Sequence, residues 1–380
     1  MKRLVVFPSD PIEAYIKQGK SYDYLEGYFN PGGYFDEVYC LTLWEKENKK
    51  IGKIAYLKCE PLKLQSLIND IHPDVIRAYG GYVSSDLAQL SRIDDVPIVV
   101  SIHDTNPNLI YPSVKKADYI VCMAQCVKNA VTSKLAINDD NITVMPNRID
   151  STLFSRRNDA EYFGLLNAKF GKGKHILHVG RKTKQKNLDT LIRSLCYLDG
   201  DVSVIFVGSG DDDEYRHIAQ EMKVGDRCFW VPSVKKEELP LWYSWCDCFC
   251  TPSRWEGFGF VFIEAAGCEA PIVTSNIAPM NEYLTDEVNA LLVDEYENPE
   301  KLAKTIEKVI LGGSQIKEMC REARKVGLNF DKAKIDRQEI DIYKFAIENG
   351  SRRNEMTKLE WLKLHWKYRR YNYRGYNNAI

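Results

Sequence analysis

Glu256 and Glu264 lie eight positions apart in the segment RWEGFGFVFIE (254–264), where Gly257 and Gly259 flank Phe258 just ahead of an apolar helical run. Glycines so placed let a backbone approach a ligand. The N–H groups of Phe258, Gly259, Phe260 and Val261, at the start of a new helix, suit an anion such as a phosphate. Glu264, about a turn into that helix, then suits a partner rich in hydroxyl donors, a ribose for example, while Glu256 stands in the loop near whatever the phosphate carries. The same residues also describe a plain glycine turn whose acids favour a helix N-terminus.

A second cluster reads HVGRKTKQKNLDTLI (178–192). A strand is expected to end at Val179-Gly180, with Arg181 at its carboxyl end. Lys186 comes just before Asn187, which suits the N-cap of a helix carrying Leu188, Leu191, Ile192 and Leu195 on one face. Two cations at the carboxyl edge of a parallel sheet sit where open α/β folds take ligands, and together they neutralise a diphosphate without a metal. Lys182 and Lys184 read as solvated loop residues. No GxGxxG follows the first strand, which counts against a nicotinamide enzyme. Cys246, Cys248 and Cys250 alternate along one face with no histidine nearby, a pattern of buried small hydrophobes rather than of zinc.

Such groups need a scaffold of strands and crossover helices, and the chain supplies the pattern. Short β-branched runs alternate with amphipathic stretches along nearly its whole length. Strands are expected at 4–7, 37–43, 53–58, 74–79, 98–102, 119–123 and 143–145, then at 176–180, 203–208, 228–231, 248–251, 272–274 and 291–293. The fold class is α/β, with two Rossmann-like doubly wound domains. The expected division is 1–155 and 156–349 with a polar linker near 155–172, the last helix (about 331–349) left open as a crossing back to the first domain, and a basic aromatic tail over 350–380.

The 380 residues suit two domains. With 44% hydrophobic and 28% charged residues, the composition excludes a collagenous or disordered chain. Charge is balanced, 52 Lys plus Arg against 53 Asp plus Glu, so nothing global argues for a nucleic-acid partner. The exception is the stretch 351–380, eight basic residues against two acidic, net +6. Eleven scattered cysteines fit a reducing compartment. The apolar start breaks at Pro8, and no window reaches the roughly 18 apolar residues of a membrane span, so a cytoplasmic location is expected.

Taken in order, GRxxxxKN after a strand, GSG at 208–210, then PSRWEGFGFVFIEAAGCEAPIV resemble the retaining glycosyltransferases of the group 1 superfamily, family 4, with the GT-B fold. The resemblance spans most of 98–310 and includes VVVSIHD and ITVMPNRIDSTLF, where Arg148 stands in place of the usual glycine and Asn147 is left to supply any left-handed turn. It implies two domains facing a cleft. Arg181 and Lys186 would hold the donor diphosphate, Glu264 the ribose and Glu256 the transferred sugar. Amides of Phe258, Gly259 and Phe260 would surround phosphate and sugar hydroxyls, with Gly257 and Val231 in the donor set. His103 would reach the donor sugar from the first domain, and Asp104 is a weaker candidate beside it. The usual pair of glycines after the first strand is missing; Gly19, followed by Lys20, stands in its place, and Gly32-Gly33 read as a turn.

The resemblance thus implies a metal-independent, retaining hexosyltransferase with no cofactor. Its donor would be a UDP- or GDP-sugar and its acceptor a glycan or lipid-linked hydroxyl. A catalytically silent nucleotide-sugar-binding module, or a sugar-phosphate synthase or phosphorylase, is the rival. The tail, with Trp361, Trp366, Tyr368, Tyr371 and Tyr373 among Lys and Arg, suits peripheral attachment to an anionic membrane face. Its removal is expected to leave the fold intact; a tail packed on the first domain is the alternative.

Overall fold

The computed structural model describes residues 1–17, 19–138, 140–351 and 356–368. Two compact units emerge, Met1–Pro146 with Ile335–Ile380, and Asn147–Lys334. The first is built on eight strands: β1 Arg3–Phe7, β2 Glu37–Thr42, β3 Lys49–Ile51, β4 Ile54–Lys58, β5 Val75–Tyr79, β6 Ile98–Ile102, β7 Tyr119–Cys122 and β8 Ile142–Val144. Their order is β3-β4-β2-β1-β5-β6-β7-β8. Strands β5, β6 and β7 are buried at every position, as a parallel sheet covered on both faces requires. Only β3 runs antiparallel, pairing Lys49 with Tyr56 and Ile51 with Ile54. Its sequence, Lys-Lys-Ile, has no alternation to betray it.

The second unit holds β9 Lys174–Val179, β10 Val202–Val207, β11 Cys228–Val231, β12 Cys248–Thr251, β13 Ile272–Ser275 and β14 Leu291–Val293. All pair in parallel, in the order β11-β10-β9-β12-β13-β14. The order reverses between β9 and β12, so the crevice beyond their carboxyl ends is the place where such sheets take ligands. Leu188, Leu191, Ile192 and Leu195 are fully buried against this sheet, each contributing roughly 1.5–3 kcal/mol as an upper figure. That packing makes the sheet edge a rigid platform.

Several boundaries differ from the sequence expectation. The division falls at Pro146/Asn147 rather than near 155, because the following residues are bound to the second unit. Ile149 donates its N–H to the Phe330 carbonyl at 2.9 Å and accepts from Lys332 at 2.7 Å. The Arg324 guanidinium donates to the carbonyls of Phe154 at 2.6 Å, Gly267 at 2.5 Å and Ser151 at 3.1 Å. The segment expected as a linker contains the helix Ala160–Phe170, capped by Asp159 through its bond from the Tyr162 N–H. Neither Asn147 nor Arg148 has a positive φ. In the helix Lys332–Asn349, the residues from Ile335 onward belong to the first unit, where Glu339 lies 3.5 Å from the buried Arg77.

Within the stretch 350–380, the described residues 356–368 do not stand apart from the first unit. The helix Lys358–Tyr368 packs on the first unit: Tyr368 is 3% exposed and its hydroxyl donates to Asp86 Oδ2 at 2.6 Å, while Lys367 Nζ lies 2.8 Å from the same oxygen. Met356, Trp361 and Leu364 pack against the same core. Tyr371 and Tyr373 lie outside the described residues. All eleven thiols are free, nine of them buried with raised or strongly raised pKa values through loss of solvation of the thiolate, which makes them packing residues.

Candidate functional site

Strand β9 ends at Val179 and the chain passes through Gly180, at φ 156°, to Arg181. Strand β10 ends beside it and turns at Gly208, φ 147°. Gly208 and Gly210 are forced: a Cβ on Gly208 would overlap the Gly180 carbonyl oxygen, and one on Gly210 would press on the Lys182 backbone. Lys182 locks this crossing. Its ammonium is buried and donates to the Gly208 carbonyl at 2.6 Å, with Asp212 at 3.7 Å. It is therefore a strut and not the solvated loop residue its local sequence suggests. Asp211, Asp212 and Asp213 lead into the helix Asp213–Glu221, and Asp212 is held by Arg216 at 2.8 Å.

Arg181 is exposed, with no hydrogen-bond or ion-pair partner among the described residues. Lys186 is the opposite: 8% exposed, its ammonium 2.5 Å from Glu256 Oε1. Ser253 donates to the same oxygen at 2.7 Å, and Gln185 spans from the Trp255 carbonyl at 2.9 Å to Glu256 Oε2 at 3.4 Å. Residues 70 positions apart, on the loops after β9 and β12, thus converge on one carboxylate. Arg254 braces the same loops, with two bonds to Asp189 at 3.1 and 2.9 Å and one to the Lys184 carbonyl at 2.8 Å. Asn187 is not the side-chain N-cap expected. It takes a left-handed φ of 56° and its amide ties the Pro252 and Tyr296 carbonyls at 2.9 and 3.1 Å, so it staples the loops together.

Gly257, Phe258 and Gly259 lead into the helix Phe260–Gly267, Gly259 at φ 83°. A Cβ there would meet the Phe262 ring at 2.6 Å. The Phe258 ring is buried and its carbonyl accepts from the Tyr283 hydroxyl at 2.8 Å. Phe260 is 37% exposed at the helix start, where the first-turn N–H groups have no partner within the helix. Glu264 is buried and accepts from the Tyr243 hydroxyl at 3.2 Å; burial first, then the neighbouring carboxylate, holds the Tyr243 phenol well above its ordinary pKa. Val231 ends β11, and its carbonyl accepts from the Gly208 N–H at 3.1 Å.

Beneath the Gly180 turn, His178 is fully buried. Its Nδ1 lies 3.1 Å from Thr251 Oγ1 and its Nε2 has no partner. Burial and then Lys186 and Lys182 press its pKa down to about 3, so the ring is neutral. Sequence reasoning singled out neither His178 nor Ser253, Gln185 or Tyr243. Ser253, three residues before Glu256, was the one with a usable local signal.

Gly19 and His103 belong to the first unit. Gly19, at φ 83°, follows the helix Ile12–Lys17 and accommodates a Cβ freely, so only its backbone conformation is special. Lys20 stands 4.6 Å over the Tyr24 ring. Gly32 and Gly33 form a turn at φ 59° and 67°. His103 follows β6, its Nε2 2.9 Å from Ser101 Oγ and its ring stacked on Tyr79 at 6.1 Å. Burial, then the nearby Arg77 guanidinium, lowers its pKa to about 4. Asp104 is used locally, accepting from the Asn106 N–H at 2.7 Å. Among the described residues no group of three or more His, Cys, Asp or Glu is arranged to hold a metal ion.

Two α/β units built on mainly parallel sheets, with cations and buried carboxylates gathered at the strand-order reversal of the second, define a two-domain fold of the GT-B type. The Anabaena protein HepE, solved in complex with UDP, superposes with a TM-score of 0.75 over 91% of this chain and all of its own at 18% identity. Sucrose-phosphate synthase from Thermosynechococcus elongatus superposes at 0.74 over 92% of this chain and all of its own, at 16% identity. Residues 167–326, which lie within the second unit, match the family model described as Glycosyl transferases group 1. In sequence the chain is 25% identical to an uncharacterized glycosyltransferase of Methanocaldococcus jannaschii, over 72% of this chain and 76% of the relative. It is 27% identical to a D-inositol 3-phosphate glycosyltransferase of Salinispora tropica, over 46% of this chain and 39% of that one.

Proposed function

We propose that the protein transfers a hexosyl group from a nucleoside-diphosphate donor to an acceptor hydroxyl in glycan, glycolipid or polysaccharide synthesis, with retention of anomeric configuration and without a metal. The observation that carries this reading is the buried Lys186–Glu256 pair at the strand-order reversal, with Arg181 free beside it and the Phe260–Gly267 helix N-terminus opposite. Negative charge grows on the diphosphate as the glycosidic bond stretches, and two cations and a helix N-terminus oppose it more in the transition state than in the ground state. Glu256, fixed by three donors, is oriented to accept from sugar hydroxyls. Glu264 takes the ribose hydroxyls, and the backbone around Gly257, Phe258, Gly259 and Val231 completes the donor set. His103 and Gly19 are assigned to the first unit's share of the reaction. UDP, the ligand in the HepE crystal structure, makes UDP-sugars the donors to test first, followed by GDP-sugars.

The test is incubation with labelled UDP- and GDP-sugars, following nucleotide release and the anomer formed. Transfer with retention, unaffected by chelator, is expected. Activity lost to chelator and restored by manganese would overturn the metal-independent part. An inverted product would overturn the stereochemical part, and no turnover with any donor, despite binding, would make the protein a silent binding module.

A further inference from the structure

The helix Lys358–Tyr368 has two apolar faces. Trp361, Leu364 and Tyr368 face the first unit's core. On the other side Leu359, Leu362 and Trp366 are 62%, 49% and 79% exposed. At about 100° per residue these three fall within an arc of roughly 60°. Exposed Lys358 and Lys363 border that arc on either side, and Lys367 lies beyond. The turn Pro61–Lys63 packs beside the helix and adds Leu62, 71% exposed; Lys63 there is paired with Glu60 at 2.9 Å and adds no net charge to the face. One apolar face suffices to hold a helix on a core. A second, contiguous and kept in water, marks an interaction surface.

We propose that this outer face is a docking surface for an anionic lipid bilayer, with Trp366 and the leucines at headgroup level and the lysines against anionic headgroups. Tryptophan favours that depth, and each nearby basic residue adds to the attraction. The acid on the helix, Glu360, is taken up by the Thr357 N–H at 2.7 Å and by Lys116 at 3.7 Å, so it does not oppose the lysines from the face itself. A second copy of this surface is a poorer partner, since a two-fold contact would set lysines against lysines. The net +6 of 351–380 favours the same partner. Because Trp361 and Tyr368 stay in the core, attachment needs no unfolding of the helix, and one short face gives reversible binding. The proposal rests on the first unit's packing and not on the donor site, so either can fail without the other.

The test is co-sedimentation of the full chain with vesicles of phosphatidylcholine alone and of phosphatidylcholine with an equal share of phosphatidylglycerol. Binding to the mixed vesicles, lost at high salt and weak on phosphatidylcholine alone, is expected. Trp366→Glu, and separately Lys358→Glu with Lys363→Glu, should each lower partitioning by about tenfold or more while leaving the melting curve unchanged. Equal sedimentation of wild type and Trp366→Glu, or equal binding to both vesicle types, overturns the proposal. Concentration-dependent dimerisation abolished by Trp366→Glu also overturns it and makes the face a self-association surface.

Discussion

Lys186 and Glu256 form a buried ion pair, which sets what their substitution must do. Lys186→Ala strands the buried Glu256 carboxylate and, under the proposed function, removes a cation from the donor diphosphate. Turnover should fall by about 30-fold to 1000-fold, the equivalent of roughly 2–4 kcal/mol, and a variant with near wild-type turnover would remove Lys186 from the site. Glu264→Gln should raise the nucleotide dissociation constant more than Glu256→Gln, measured by titration calorimetry; the reverse ranking would reassign the ribose. Arg181 and Glu256 stand out in the sequence because each adjoins a glycine in a loop that follows a strand, Gly180 and Gly257. The pairing of Lys186 with Glu256 was not legible, because nothing local encodes a contact across 70 positions. Lys182 shows the same limit in reverse: its local sequence resembles that of Lys184, and only the approach of Gly208 buries it.

At the scale of elements, the crossing of the β9 and β10 exits has no room for a side chain. Gly208→Ala should therefore destabilise the second unit by several kcal/mol, read as a lower denaturation midpoint, with donor binding lost alongside because Lys182 hangs on the same carbonyl. An unchanged midpoint would mean that the two loops separate easily and that Lys182 is no strut. Apart from the short antiparallel β3, strand positions were readable, since β-branched runs buried on both faces have few alternatives. The helix Ala160–Phe170 was not, because only Leu166 and Phe170 are buried and its polar remainder resembles a linker. Asp159, accepting from Tyr162 N–H three residues on, was the signal overlooked. Asn187 misled for a related reason: the residue type suits a cap, but the left-handed backbone leaves its amide free to join two loops instead.

For the whole molecule, two neutral histidines, His178 fully buried and His103 partly so, set one limit and the C-terminal helix another. His103 and His178 have folded pKa values of about 4 and about 3, against 6.5 when unfolded. Below pH 6.5 the unfolded chain takes up protons that the folded one refuses, so stability present above 6.5 is lost as pH falls through the folded values. The loss is on the order of a few kcal/mol per histidine. Melting temperatures recorded from pH 7 to pH 4 should fall steadily, and His178→Gln should flatten that slope; a slope unaltered in the variant would assign the loss elsewhere. Removing 351–380, expected from sequence alone to leave the fold intact, has a different consequence once Asp86 is considered. That carboxyl is 2% exposed and answered by Lys367 and Tyr368. Truncation leaves it buried without either, and uncovers the core beneath Trp361 and Leu364. Stranding one buried partner costs about 3–5 kcal/mol, enough to lower the melting temperature by roughly 5–15 °C. Truncation combined with Asp86→Leu, which removes the stranded group, should recover part of that loss. If the truncated chain melts with the full-length one, the helix Lys358–Tyr368 contributes nothing to the first unit's stability.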